Sequence, residues 1–204
     1  MINLMDLEII TKSDFDDMTF DSGVVVKDFD PTETFAPPAE GDLLFVTSGD
    51  ITINDNVTRM DLGEDVNGIH FPYAELQVVT GKEAATIAFT SLKFGVEDAQ
   101  MVLGAADIVN SNSVVTRLEY KTTDFKNLAF IQHKVGGGYA VAVMPKALST
   151  GGLSFTSKKG GKGTSAVTMT GFRSIEDKET PEIAYYFYPA PTSSNDNDDD
   201  DQGA

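Results

Sequence analysis

The chain has 204 residues, of which 41% are hydrophobic, so it is long enough to bury one substantial core in a single domain. Its formal net charge is −17, and so acidic a chain repels nucleic-acid phosphates and anionic membranes, which argues against a DNA-binding or membrane-binding function. It has no cysteine, which removes disulfides and thiolate chemistry, and no apolar run long enough to span a bilayer.

The N-terminal region, residues 1–38, contains short apolar pieces separated by acid-rich turns. Two of these pieces are residues 7–10 and 23–27, and neither has the alternation of a half-buried strand. We therefore predict a surface arm that becomes ordered only on packing. The early acids Asp6 and Glu8 also differ from the basic start of a signal peptide, so we expect the protein to stay in the compartment where it is made.

Strand patterns begin at residue 43. Two short segments, residues 43–47 and 51–54, flank the turn-forming sequence Ser48-Gly49-Asp50, which predicts a hairpin. A long polar connection follows over residues 55–72, and a connection of this length is usually functional or disordered. A loop with a function and a mobile surface loop are therefore both open at this point. Strand character resumes over residues 74–80 and 84–92.

One helix is predicted, over residues 95–108, as a cover on one flank of a sheet. Glu97 and Asp98 lie in its first turn, where the helix dipole favours acids. Gly104 disfavours a helix interior by about 1 kcal/mol relative to alanine, so we place it near the C-terminal end.

Alternating segments then recur through the rest of the chain. They are residues 114–121, 128–134, 139–143, 153–156, 167–170 and 182–188. Pro145 has no N–H to donate, and we predict that it ends the third of these strands. The fourth and fifth form a predicted hairpin whose basic, glycine-rich tip contains Lys158, Lys159 and Lys162.

These elements predict a mainly β fold, an antiparallel β-sandwich or flattened barrel with one flanking α-helix. We assign residues 1–190 to one domain. Residues 191–204 contain five aspartates and almost no apolar side chain, so we expect a disordered acidic tail.

Motifs for chemistry are incomplete in this chain. The sequence KGGKGTS at residues 159–165 lacks the Lys-Ser/Thr pair of a phosphate-binding loop, and it leads into a strand pattern. Asp196, Asp198 and Asp200 have the spacing of a calcium loop, but the chain lacks its glycine and its final glutamate. His70 and His133 are isolated, which is more typical of structural histidines. We predict a protein that is not an enzyme and that uses no cofactor or metal.

Five segments in order carry a family resemblance: SGVVVKDFDP at residues 22–31, DLGEDVNGI at 61–69, PKALSTGG at 145–152, KKGGKG at 158–163 and TGF at 170–172. Together they resemble the major tail proteins that form the tail tube of long-tailed, non-contractile bacteriophages. The resemblance implies the tail-tube fold and rings, hexameric in that family, which stack into a tube whose acidic lumen conducts DNA without specific binding. It also implies assembly in the bacterial cytoplasm and a final place in the virion tail.

The same resemblance implies partners and contact residues. The partners are further copies of the chain and other tail proteins, namely the tape measure, tail terminator and distal tail proteins. The long loop would join neighbouring rings, and the hairpin tip with Lys158, Lys159 and Lys162 would be a second assembly contact. The loop residues concerned are Met60, Asp61, Leu62, Gly63, Glu64, Asp65, Val66 and Ile69.

Two other functions stay open. The first is the tube of a contractile tail or secretion system, which would share the fold. The second is a monomeric ligand-binding β-sandwich, for example a carbohydrate-binding module. The chain has no tryptophan, and exposed aromatic platforms are what such a module uses to bind sugars, so this function is the weaker candidate.

Overall fold

The computed structural model describes residues 16, 19–32, 34–63, 66, 68, 72–177 and 179–190, with the backbone alone for residues 19–22 and 40. The strands are β1 (Thr19–Lys27), β2 (Leu43–Asn54), β3 (Val57–Asp61), β4 (Gln77–Lys82), β5 (Thr86–Ser91), β6 (Ala106–Val109), β7 (Ser113–Thr116), β8 (Lys126–Lys134), β9 (Tyr139–Ser149), β10 (Ser154–Thr156), β11 (Thr164–Gly171) and β12 (Ala184–Tyr188). Among the described residues, one complete α-helix is present, α1, which spans Val96–Leu103. The predicted mainly β fold with a helix is confirmed.

Six antiparallel strands form a closed barrel in the order β11, β5, β2, β1, β8 and β9. Pairing between the ends of β9 and β11 closes it, for example Leu148 opposite Thr170. Two further strands lie outside the ring: β10 pairs with the start of β11, and β12 pairs with the first half of β9. Among the described strands, β10 and β12 are therefore the two ends of the main sheet, each with one free edge.

Two hydrophobic clusters hold this barrel together. The first is its interior, where Phe45, Met144 and Met169 are almost completely buried. The second covers the outer face of β1, β8 and β9, and includes Val26 and Ile131. In strands shared by both clusters, successive residues point alternately into the two, as Ala142 and Val143 do.

The prediction of a surface arm over residues 1–38 is wrong for β1, which is a barrel strand. Val25 lies in the interior cluster and Val26 in the outer cluster, at 3% and 1% exposure. A strand that is buried on both faces has a continuous apolar run instead of an alternating pattern, so the alternation criterion missed it. Residues 1–15 and 17–18 lie outside the described residues, as does the predicted acidic tail at 191–204.

Two predicted strand breaks are also wrong. The hairpin expected at Ser48-Gly49-Asp50 is absent because β2 runs continuously through it, with irregular pairing to β5 between Ser48 and Thr52. Gly49 has a φ of 75°, which suits a bulge at that point. Likewise β9 continues past Pro145, because its pairing with β8 is irregular there and needs no N–H from the proline.

Helix α1 is shorter than predicted. It ends at Leu103, and Gly104 follows with a φ of 72°, so the expected position of this glycine near the C-terminal end is confirmed. The remaining residues of the prediction enter β6, which pairs with β7. At the other end, the Gly95 N–H donates to Asp98 Oδ2 at 2.7 Å. Val102 packs into the interior cluster, and the helix lies against β2, β6, β7 and β9.

Candidate functional site

The predicted long loop, residues 55–72, belongs mostly to a β-hairpin, of which it forms the first side. Strand β3 pairs with β4 in antiparallel register, with Met60 opposite Val78 and Asp61 opposite Gln77. The expectation of an irregular connection is therefore wrong for β3. We call the described residues of this hairpin, 57–63, 66, 68 and 72–82, the arm, and those between its two strands the arm tip.

The arm exposes apolar side chains on both of its strands and in the described part of its tip. Every residue of β3 and β4 is exposed except Asp61 and Lys82, which are half-buried. The large apolar residues with exposures between 40% and 61% are Val57, Met60, Leu62, Val66, Tyr73, Val78 and Val79. Among the described residues, β3 and β4 pack mainly on each other. Met60 and its partner Val78 lie on one face of the ribbon and Val79 lies on the other, so both faces expose apolar side chains. This makes the arm the candidate interaction surface among the described residues.

Salt bridges fix the base of the arm to the barrel. Lys82 Nζ lies 2.7 Å from Asp55 Oδ1 and 3.5 Å from Glu182 Oε2, and Arg173 Nε lies 3.0 Å from Glu182 Oε1. The hydrogen bond from Lys82 to Asp55 raises the pKa of Lys82, and desolvation partly opposes this effect. Lys82, Asp55 and Glu182 are all less than a quarter exposed, which limits solvent screening of these contacts. The arm is thus held at its base, and its two strands pack mainly on each other among the residues that the structure describes.

Backbone hydrogen bonds shape the arm tip. The Leu62 N–H donates to Leu76 O at 2.9 Å, the Gly63 N–H donates to Asp61 Oδ1 at 2.8 Å, and the Val66 N–H donates to Gly63 O at 3.1 Å. Of the eight loop residues named from the sequence, Met60, Asp61, Leu62, Gly63 and Val66 therefore lie on the arm. The other three, Glu64, Asp65 and Ile69, are outside the described residues, as is His70.

The basic hairpin tip predicted around Lys158, Lys159 and Lys162 is present between β10 and β11. Thr156 pairs with Thr164, and all three lysines are exposed. The tip and the arm are not brought together in one molecule. The tip precedes Thr164 at the start of β11, whereas the Gly171 N–H at its other end donates to Ala85 O, beside the arm base. Seven residue steps along β11 separate them by roughly 20 Å.

Sequence reasoning missed an open cleft of about 500 Å³ on the side of the barrel. Its walls combine aromatic and cationic side chains from three separate segments: Tyr120, Phe125, Phe172, Lys121, Lys146 and Arg173. The rings of Phe125 and Phe172 meet edge to face at 5.6 Å. The segments meet only in the folded chain, and no spacing in the sequence connects them.

Three further observations concern membrane spans, metal sites and histidine in the described residues. No helix among them is long and apolar enough to cross a bilayer. Within the same residues, no group of three or more His, Asp or Glu side chains is placed to hold a metal ion. His133 lies on β8 with its ring 5.4 Å from that of Tyr139.

Comparison with known proteins gives no assignment. No known protein family matches the chain, and no curated protein matches it in sequence.

Proposed function

We propose that this chain is a structural subunit of a bacteriophage tail tube, assembling into stacked rings. The observation that carries the proposal is the arm, which is fixed at its base and exposes seven large apolar side chains. Large apolar side chains exposed on both faces of one ribbon are typical of a surface that a partner molecule covers. The family resemblance of the sequence supplies the identity of the assembly.

The free edges of the main sheet support lateral contacts within a ring. β10 and β12 are the edges of the main sheet formed by the described strands, and Phe187 on β12 is 71% exposed. Pairing of edges between neighbours around a closed ring removes this liability from every copy. The ring number of six and the finer tail-tube fold are taken from the family resemblance and belong to the proposal.

In this proposal the protein is not an enzyme and needs no cofactor. The acidic chain, with its net charge of −17, lines a lumen through which DNA passes without binding. Its partners are further copies of itself, the tape measure, the tail terminator and the distal tail proteins. It assembles in the bacterial cytoplasm and ends in the virion tail.

Electron microscopy of the purified protein, together with sedimentation at several concentrations, tests the proposal. We expect rings or tubes, alone or with an initiating tail protein. A strictly monomeric species under all of these conditions would contradict it.

One observation favours the second candidate, a monomeric ligand-binding module. The open cleft offers the faces and edges of Tyr120, Phe125 and Phe172, and aromatic side chains of this kind can bind sugar rings. Titration of the monomer with oligosaccharides, followed by calorimetry, separates the two functions. Saturable binding that Tyr120→Ala abolishes, in a protein that never assembles, would favour the module.

A further inference from the structure

The open cleft on the side of the barrel contains a row of aromatic side chains. The ring centroids of Tyr120 and Phe125 lie 6.4 Å apart, and those of Phe125 and Phe172 lie 5.6 Å apart. Tyr120 is 62% exposed, and Ile175, which also lines the cleft, is 91% exposed. The cleft volume of about 500 Å³ lies within the usual range of ligand pockets. The cleft therefore offers a continuous apolar surface that is open to solvent.

Two cations of the cleft have bonding capacity that the described residues do not use. Lys146 is half-buried and forms no salt bridge in the described part of the chain. Arg173 Nε lies 3.0 Å from Glu182 Oε1, but the two terminal nitrogens of Arg173 have no hydrogen-bond partner among these residues. Lys121 differs, because its Nζ lies 3.0 Å from both carboxylate oxygens of Asp107. Since a half-buried charge is stabilised by pairing, Lys146 and Arg173 are the groups that an anionic ligand would neutralise.

The charge of the cleft is opposite in sign to that of the whole chain. Three cations line it against one acid, Glu176, whereas the chain has 15 Lys and Arg residues against 32 Asp and Glu residues. The nearby Asp177 carboxylate accepts hydrogen bonds from Thr180, which lower the pKa of Asp177 most, and the charge of Lys146 adds to this lowering. Lys146 thus attracts carboxylates at this cleft without forming a salt bridge to Asp177.

Both walls of the cleft are fixed before any ligand binds. On one side, the Lys121 N–H donates to Asp124 Oδ2 at 2.7 Å, and Arg117 Nη2 donates to Asp124 Oδ1 at 2.6 Å. On the other side, the Phe172 N–H donates to Lys146 O at 2.8 Å, which holds the lysine next to the aromatic row. A ligand would therefore bind without ordering these segments, which favours affinity.

The chemistry of the cleft fits a segment of protein that combines carboxylates with a large apolar side chain. The rings of Phe125 and Phe172 are inclined at 86°, so they present a face and an edge instead of one flat platform. We infer that the cleft binds an acidic peptide segment of a partner protein. An aromatic or large aliphatic side chain of this segment packs on Phe125 and Phe172, and neighbouring carboxylates pair with Lys146 and Arg173. The inference goes beyond the proposed function, because such binding requires no assembly into rings.

Two competing occupants each match only half of the cleft. The C-terminal segment has five aspartates for the cations, but residues 192–204 contain no large apolar side chain, so it would leave the aromatic row in water. A neutral oligosaccharide could cover Tyr120 and Phe172, but it would leave Lys146 and Arg173 without an anion. An acidic peptide with an apolar side chain covers the aromatic row and neutralises the cations together.

A fluorescence titration of the full-length protein tests the inference. The probe is a blocked peptide with the core Asp-Trp-Asp between glycines, and its emission is seen alone because the chain has no tryptophan. We expect saturable binding with a blue shift, weaker at higher salt. The matched peptide with Asn-Trp-Asn should bind at least about tenfold more weakly, and one with Asp-Ala-Asp should not displace the probe. No saturable binding of the probe into the millimolar range, or equal binding of the Asn-Trp-Asn peptide, overturns the inference.

Variants of the protein place the binding at the cleft. Lys146→Gln should weaken binding of the probe by about tenfold or more, and Lys146→Arg should restore most of it. Tyr120→Ser removes part of the aromatic row at an exposed position and should also weaken binding. Lys158→Gln is the control, because it removes one cation from the exposed basic hairpin tip, at the other end of β11. A loss as large in Lys158→Gln as in Lys146→Gln, with both variants folded by circular dichroism, overturns the inference.

Two further measurements decide between the occupants. If deletion of residues 193–204 strengthens binding of the probe by about tenfold or more, the C-terminal segment already occupies the cleft and the inference is wrong. If a neutral oligosaccharide displaces the probe and binds Lys146→Gln as well as the unmodified protein, the cleft is a sugar site and the inference is equally wrong. Neither measurement depends on tubes, so a protein that binds the probe and never assembles would keep the inference and contradict the proposed function.

Discussion

Shortening the arm while keeping its base tests whether the arm serves assembly or folding. Residues 59–80 are replaced by Asn-Gly, which joins the paired residues Thr58 and Gly81 in a two-residue turn. Lys82 keeps its contacts with Asp55 and Glu182. The salt bridges that fix the arm base to the barrel are therefore kept in the shortened protein.

The expected change in stability follows from two terms. A two-stranded ribbon contributes close to zero to folding, because alone it is marginally stable. The inserted segment becomes about tenfold shorter, which favours the folded state by at most about 2 kcal/mol in closure entropy. The free energy of unfolding should therefore stay equal or rise by up to about 2 kcal/mol, while stacking into tubes is lost.

Urea unfolding followed by circular dichroism measures the first result, and electron microscopy measures the second. The slope of the urea transition should fall slightly because less chain unfolds. A loss of about 3 kcal/mol or more would place the arm in the core of its own domain. Normal long tubes from the shortened protein would remove the arm from assembly.

Three further predictions concern the barrel, the arm base and the C-terminal segment. Phe45→Ala should lower the free energy of unfolding by about 3–5 kcal/mol in urea titrations, because Phe45 is 1% exposed, whereas Phe187→Ala, at an exposed position, should change it by less than about 0.5 kcal/mol. Lys82→Met should cost about 1 kcal/mol at pH 7. The pKa of Lys82 is raised above its usual value of 10.5, so the difference in free energy of unfolding between the two proteins should be constant below that pH. It should shrink as the pH rises above 10.5, because the lysine then loses its charge. A difference in free energy that grows in that range would refute the assignment. Deletion of residues 193–204 should leave the thermal midpoint within about one degree, because a segment with so little apolar surface stabilises the fold very little; a drop of several degrees would show that it docks on the body.

Strands with one buried face could be predicted well from the sequence. In β5, Ile87 and Phe89 are buried and alternate with half-buried residues, and the prediction of residues 84–92 matches the strand within two residues at its start and one at its end. The alternation of Val167 and Met169 also located β11, although the predicted residues 167–170 leave out the first three residues of the strand and its last one. Alternation reports a difference in burial between two faces, so it works where that difference exists.

Two of the strands that the sequence did not predict, β1 and β3, have no such difference. Both faces of β1 are buried, and neither face of β3 is buried, so in both strands the pattern of burial does not alternate. Gly49 and Pro145 led to wrong predictions for another reason. They are typical of strand ends, but irregular pairing with a neighbouring strand tolerates them inside β2 and β9.

The candidate site was only half predictable. The arm could be found because its polar length and its acids stand out in the sequence, although its hairpin form could not. The lysines of the basic hairpin tip, Lys158, Lys159 and Lys162, could also be found in the sequence as a cluster. Phe94 and Phe155 come from segments about sixty residues apart, and they meet only because β10, β11 and β5 are neighbours in the sheet.

Head-to-tail contact between rings has a consequence for the length of the assembled tube. In the proposed stacking of rings, the arm of one copy contacts a different surface of a copy in the next ring, so the contact is heterologous and each added ring presents the same two surfaces again. Nothing in such a contact stops growth, because the last subunit added is equivalent to every earlier one. The chain alone would then give tubes of broadly distributed length. A uniform length requires another molecule that occupies the arm, or the surface that receives the arm, without offering the other surface. The proposed function gives this role to the tail terminator and tape measure proteins.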